Sequence, residues 1–248
     1  MTSRRLVVCF CLSFAIALIG ALPLSIVLKA LGPQAHEISY SHASGTVWSG
    51  RLEQLHWRGY GLGSAEVGLR PFALMLGRLA LDIRLDGRGA VQGGGRIVLT
   101  ALGTLRLLDV TLTANVAHLP ALLPVTGTIS IAIKRAEMAA GECRMVEGTV
   151  RTDALVRQPA GLPWTGPVLS GAMGCDNGVL RVPLEGETGD DMIDVVMQIV
   201  RDGTFGIDVN ARTSNNTVSK VLTAAGFTES AGTMTLTQKG RWMPAARR

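Results

Sequence analysis

From residue 79 onward, apolar and polar positions trade places with a period of two. Leu79, Leu81, Ile83 and Leu85 alternate with Ala80, Asp82, Arg84 and Asp86, which predicts a strand with one buried and one wet face. Ile97 and Leu99 continue the pattern beyond Gly93-Gly94-Gly95, which reads as a turn. Ile129/Ile131/Ile133, Ile193/Val195/Met197/Ile199, Phe205/Ile207/Val209 and Met234/Leu236 predict further strands. Between Thr104 and Val116 the apolar phase slips from Leu105/Leu107 to Leu108/Val110/Leu112/Ala114/Val116, as a β-bulge would make it. Gly-Thr recurs at 45, 103, 127, 148, 203 and 232. It reads as a turn-to-strand device, glycine turning the chain and β-branched threonine starting the strand. Its irregular spacing argues against a propeller or solenoid.

Helical signals are few. Leu119 to Leu123 is framed by Pro120 and Pro124, and Val218 to Ala225 is preceded by an Asn215-Asn216-Thr217 cap and ended by Gly226. Leu6 to Leu28 contains no charged residue, and as a helix it would span about 34 Å, enough for a bilayer core. Arg4 and Arg5 precede it and only Lys29 follows closely, so the charge bias places the N-terminus in the cytoplasm. A cleaved signal peptide is the alternative. The run is long for one, and the best small-residue site, Ala30-Leu31-Gly32, is followed by Pro33. Pro23 inside the run predicts a kink.

The expected layout is a cytoplasmic N-terminus (1–5), a single transmembrane helix (6–28), a periplasmic stalk (29–43) and a periplasmic β domain (44–248). The fold class is mainly β: after the membrane helix, a curved, half-barrel-like antiparallel sheet with two short helices. Pro159, Pro163 and Pro167, with Gly161 and Gly166 among them, mark the place where an internal break is expected. One continuous domain is favoured across it.

Composition narrows the chemistry. Five Phe, four Trp and two Tyr stand against 30 Gly, so packing must rest on aliphatic residues. The basic residues behind the net charge of +5 are mostly arginines scattered singly, without the basic stripe of a nucleic-acid binder. Cys9 and Cys11 lie in the apolar run, whereas Cys143 and Cys175 lie in the exported part, where an oxidising compartment favours their pairing. His36, His42, His56 and His118 form no metal-binding spacing. Asp190, Asp191 and Asp194, with Glu185 and Glu187 upstream, read as a solvated turn rather than a cation loop. Gly87-x-Gly89 followed by Gly93-Gly94-Gly95 precedes a strand rather than a helix, so it offers no phosphate cradle. Without a nucleophile elbow or paired carboxylates, no catalytic, metal or cofactor site is expected.

The densest pattern is Ser44 to Arg84. It holds Gly45-Thr46-Val47-Trp48-Ser49-Gly50, Trp57-Arg58-Gly59 and Leu69-Arg70-Pro71-Phe72, leading into the alternating strand. This succession resembles the type II secretion system protein N family, as do the Arg4/Arg5 anchor, Pro163-Trp164 between the two cysteines, and Gly178-Val179-Leu180 after them. The resemblance implies a bitopic inner-membrane protein with a periplasmic β-rich domain and no enzymatic activity. It also implies partners among the inner-membrane proteins C, L and M, with edge-strand pairing as a natural contact mode. Trp48 and Trp57 are expected as core anchors. The strand style also resembles AsmA-like envelope proteins, so a phospholipid-binding groove is the alternative function.

Overall fold

The computed structural model describes residues 10, 14, 17, 20–30, 38–57, 60–87, 89–115, 126–156, 165–200 and 203–241, with the side chains of Ile38, Trp57 and Tyr60 outside that description. The chain divides into two compact units, Met1–Gln92 and Gly93–Arg248.

The first unit contains α1 (Leu24–Ala30), β1 (Ile38–Ser39), β2 (His42–Gly45), β3 (Gly50–Trp57), β4 (Tyr60–Leu69), α2 (Pro71–Met75) and β5 (Arg78–Asp86). Strand β3 pairs with β1, β2 and β4, and β4 pairs in turn with β5, all antiparallel. A strict alternation would send Leu52 and Leu55, three positions apart, to opposite faces. Both are nevertheless buried. Leu52 pairs with Ala65 and Leu55 with Gly63, so Glu53 and Gln54 together oppose Ser64 alone. Gln54 takes a left-handed φ of 50°. This bulge resets the phase and turns both leucines inward, where they join Leu24, Val47 and Ala65 in one apolar cluster.

The second unit is a longer antiparallel meander. Its strands are β6 (Val91–Thr100), which straddles the division, then β7 (Thr104–Asn115), β8 (Thr128–Ala139), β9 (Glu142–Thr152), β10 (Leu169–Ala172), β11 (Gly174–Asp176), β12 (Val179–Thr188), β13 (Asp191–Ile199), β14 (Thr204–Arg212), β15 (Thr228–Ser230) and β16 (Thr233–Arg241). From β6 to β10 each strand neighbours the next. Strand β12 then joins β10, β11 folds back on β12, and the order ends β13, β14, β16, β15. Ala140-Gly141, Asn177-Gly178 and Ala231-Gly232 close their hairpins with φ positive at both residues, the conformation whose twist matches the flanking strands. Helix α3 (Asn216–Ala224) starts where the Asn215 side chain accepts from the Thr217 and Val218 amides at 2.9 and 3.4 Å, as the cap motif predicts. It packs Leu222 toward the cluster of Leu169, Ile193, Ala211, Phe227 and Met234.

Several expectations meet a different structure. Gly93-Gly94-Gly95 is not a turn: it lies inside β6, and bends fall at residues 87, 89 and 90. A Cβ on Gly93 would come within 2.0 Å of the Thr111 carbonyl oxygen, so glycine admits the close approach of β7. The irregularity expected near Leu108 centres on Asp109, at φ 49°. Its register with β8 stays even, Leu108 with Arg135 and Val110 with Ile133, and the extra residue is Lys134 in the β8/β9 pair. Gly-Thr opens β7, β8, β14 and β16, but Gly148 sits in the middle of β9, and Gly45 ends β2. The compact units divide at Gln92/Gly93 rather than in the proline-rich stretch, of which residues 157–164 lie outside the described residues. The helix expected at 119–123 lies outside them too.

Eleven of the 23 residues of Leu6–Leu28 are likewise outside the described residues, and among those described no helix is long and apolar enough to cross a membrane. Helical geometry at Gly20 gives way to a turn at Ala21, Pro23 makes an isolated bridge with Thr46, and the helix starts afresh at Leu24. Pro23 therefore marks a break rather than a kink. Beyond α1, strands β1 and β2 overlap the stretch expected as a stalk, and both lie on β3.

Cys143 and Cys175 form a disulfide with their Cα atoms 5.5 Å apart, joining β9 to β11 across a separation of 32 residues. The Cys143 amide also donates to the Gly178 carbonyl at 2.9 Å, so bond and backbone fasten the same crossing. Closing a loop of that length stabilises by about 3–4 kcal/mol. Replacing both cysteines by serine should lower the stability of the second unit by that amount, read from denaturant midpoints. An unchanged midpoint would mean that the crossing holds without its covalent link.

Candidate functional site

The Gly45–Gly50 segment is a clasp for α1. Gly45 ends β2 at φ 82°, and the chain folds back through a tight loop in which the Thr46 amide donates to the Ser49 carbonyl at 3.1 Å. The Ser49 amide returns a weaker bond to Thr46 Oγ1 at 3.4 Å. Thr46 bridges Pro23. The Val47 amide donates to the Leu22 carbonyl at 3.1 Å, and the Val47 carbonyl accepts from the Leu69 amide at 2.9 Å. Val47 is buried and thus ties the N-terminal segment to the end of β4.

Gly50 explains the second glycine of the motif. A Cβ there would lie 2.5 Å from Leu24 Cδ2 and 2.8 Å from the Thr46 carbonyl oxygen. The absent side chain is the seat into which Leu24 fits. Leu24 is itself buried, with Leu22, Val27 and Leu28 packed around the same cluster. Trp48 is half-buried against that cluster, in keeping with a packing role. Trp57 pairs through its backbone with Ile38 and Tyr60. Arg58, Gly59, Arg4 and Arg5 lie outside the described residues.

The other motif residues border this clasp. Leu69 packs on the cluster. Arg70 follows, exposed, with its Nε donating to Asp82 at 2.6 Å, and Pro71 and Phe72 open α2, which buries none of its side chains. On the wet face Arg51 stands opposite Glu66 and donates to it at 2.5 Å. That hydrogen bond, and then the charge of Glu66, raise the Arg51 pKa above its ordinary value. Exposed pairs of this kind contribute little to stability, so the first unit depends on its apolar cluster.

The remaining chemistry is sparse. His42 and His56 are exposed on strands, and His56 Nδ1 lies 2.8 Å from the Gln54 carbonyl. His36 and His118 lie outside the described residues. Among the described residues no group of three or more His, Cys, Asp or Glu is placed to hold a metal ion. Gly189 and Asp190 form the β12–β13 turn and Asp191 opens β13, with Glu187 and Asp190 exposed. In the second unit an open depression of about 620 Å³ lies over β7–β9, lined by Val110, Ala132, Ile133, Val146 and Met173. Its rim carries Asp109 and the Lys134–Glu147 pair, 3.0 Å apart. Neither place brings a nucleophile to a base.

Two features escaped the sequence reading. One is the seat for Leu24, signalled only by Pro23 ahead of it and by a glycine starting β3. The other is the exposure of the apolar turn after Arg70.

The family model described as "Type II secretion system (T2SS), protein N" matches residues 36–237. Type II secretion system protein N of Vibrio cholerae serotype O1 is 29% identical over 158 residues, covering 60% of this chain and 62% of that protein. The match thus spans less than two thirds of that relative's length. No solved structure matches the chain.

Leu24→Ala should destabilise the first unit by about 2–5 kcal/mol, and Gly50→Val by about 1–3 kcal/mol through overpacking. Because both act on one seat, the double variant should lose less than the sum. Hydrogen exchange of the β3 and β4 amides reads each loss. Strict additivity would show that the two residues do not share the contact.

Proposed function

The chain belongs to the type II secretion system protein N family, and on that premise we propose that it is a non-enzymatic, inner-membrane-anchored accessory scaffold of a type II secretion machine. The family match across residues 36–237, which takes in strands of both units, carries this reading. The part of the N-terminal run ahead of the break at Pro23 is the anchor, with its first residues in the cytoplasm and the β units in the periplasm. The seat of Leu24 supports an uncleaved anchor over a signal peptide, since cleavage near Ala30-Leu31-Gly32 would strip a buried residue from the first unit. The Cys143–Cys175 bond suits an oxidising compartment.

The partners are the inner-membrane proteins C, L and M, and the contact is an edge strand. Among the described residues, β16 pairs along its length with β14, whereas β15 covers only Thr233 to Thr235 on its other side. Residues from Leu236 to Gly240 thereby present an edge for strand addition. Lys239 on that stretch hinders indiscriminate pairing, as edge charges do.

One observation favours a second reading, the handling of phospholipid chains. Leu112, Ile129, Ile131 and Ile133 share a face of β7 and β8 by register, yet each remains only half-buried. A bound acyl chain would complete their burial.

The two readings part in one experiment. A photoreactive amino acid in place of Lys239, in cells secreting through the machine, should capture protein C, L or M. Capture of none of these, together with phospholipid retained on the purified chain in native mass spectrometry, would replace the scaffold with the lipid reading.

A further inference from the structure

Among the described residues of the first unit, the segment after Arg70 is the most exposed apolar surface. Arg70-Pro71-Phe72-Ala73-Leu74-Met75-Leu76-Gly77-Arg78 carries no charge between its two arginines. Phe72, Met75 and Leu76 are 80%, 83% and 73% exposed, and α2 buries no side chain. A water-facing connection between strands normally carries polar residues. Contiguous exposed apolar side chains instead mark a surface that meets a partner or a membrane.

The backbone indicates which of the two. The Val47 amide bonds to Leu22 and the Val47 carbonyl accepts from Leu69, so Leu22, Val47 and Leu69 lie side by side in one hydrogen-bonded row. Leu24 sits over Gly50, which pairs with Val67. Moving from Leu24 back to Leu22 therefore carries the chain toward the Leu69 end of β4, from which the apolar turn projects. The uncharged run upstream of Leu22 joins the first unit at that same end. Leu22, where the uncharged N-terminal run enters the unit, and the apolar turn thus share one corner, and Arg78, which closes the turn, suits a surface of anionic headgroups.

We propose that the Phe72–Leu76 turn inserts into the bilayer interface beside the anchor, giving the first unit a second membrane attachment. The occupant of this patch is lipid. An apolar turn of this size reaches the headgroup–acyl boundary without spanning it. With Leu24 fixed in its seat, two points of contact hold the β3–β4–β5 sheet at a set orientation to the membrane, where a single tether would let it swing. This inference rests on the proposed membrane anchor.

The test uses the full-length chain in phosphatidylethanolamine/phosphatidylglycerol vesicles, with Cys9→Ala and Cys11→Ala and the disulfide kept intact. Met75→Cys carries a nitroxide, Glu229→Cys on β15 is the aqueous reference, and flotation is measured alongside. The expected result is flotation with the vesicles and an oxygen-to-nickel-chelate accessibility ratio several-fold higher at position 75 than at 229. Adding Phe72→Asp should lower the ratio at 75 without loss of flotation. A chain that floats with equal ratios at both positions would overturn the inserted turn and leave the anchor standing. A label that is aqueous in vesicles and becomes immobile only with added envelope proteins would assign the patch to a protein and likewise overturn it. Failure to float would remove both the anchor and this inference.

Discussion

Leu24 reaches the core of the first unit through the space that Gly50 leaves by having no side chain, and the surrounding architecture follows from that contact. A sheet this small has one apolar face, and β3, β4 and β5 alone leave Leu52, Leu55 and Ala65 without a covering layer. The cover comes from α1, held at Leu24 by apolar contact and at Leu22 and Pro23 by backbone pairing to Val47 and Thr46. Burial of apolar area contributes roughly 25 cal/mol per Å², far more over these side chains than the exposed Arg51–Glu66 pair can offer. The Gly-Thr-Val-Trp-Ser-Gly motif is therefore a structural device. It makes a segment that composition assigns to the membrane into part of the folded unit.

The second unit meets the same shortage of cover differently. Helix α3 shields the strands from β12 to β16 around Phe227 and Met234, while Ile129, Ile131 and Ile133 on β8 stay half-buried. Toward the middle of the meander, where β10 and β11 share β12 as a neighbour, the Cys143–Cys175 bond fixes the crossing between β9 and β11. Covalent closure and a short capping helix thus take the place of a second sheet layer.

Alternation made most strands legible, because one-sided burial imposes a period of two on every strand that has a wet face. The α3 cap was legible because Asn215 satisfies local amides whatever the tertiary context. Features set by neighbours distant in sequence were not. Leu52 and Leu55 defy alternation until the bulge at Gln54 is known. The three glycines at 93–95 look like a turn in isolation, and only the approach of Thr111 explains them within a strand. Gly50 was noticed as part of a motif, but its purpose depends on Leu24, 26 positions earlier. The exposure of Phe72 and Met75 had no signal of its own, since an apolar turn reads the same whether it is buried or not.

On the proposed reading the N-terminal run serves two purposes, holding the chain in the membrane and completing the first unit, so it must remain attached in the mature protein. The intact mass of the protein extracted from membranes tests this most directly. The account predicts a mass that accounts for the residues ahead of Ala30, Leu24 among them. A mature chain beginning just after Ala30 or Gly32 would contradict it, because Leu24 would then be missing from the core it is held to complete.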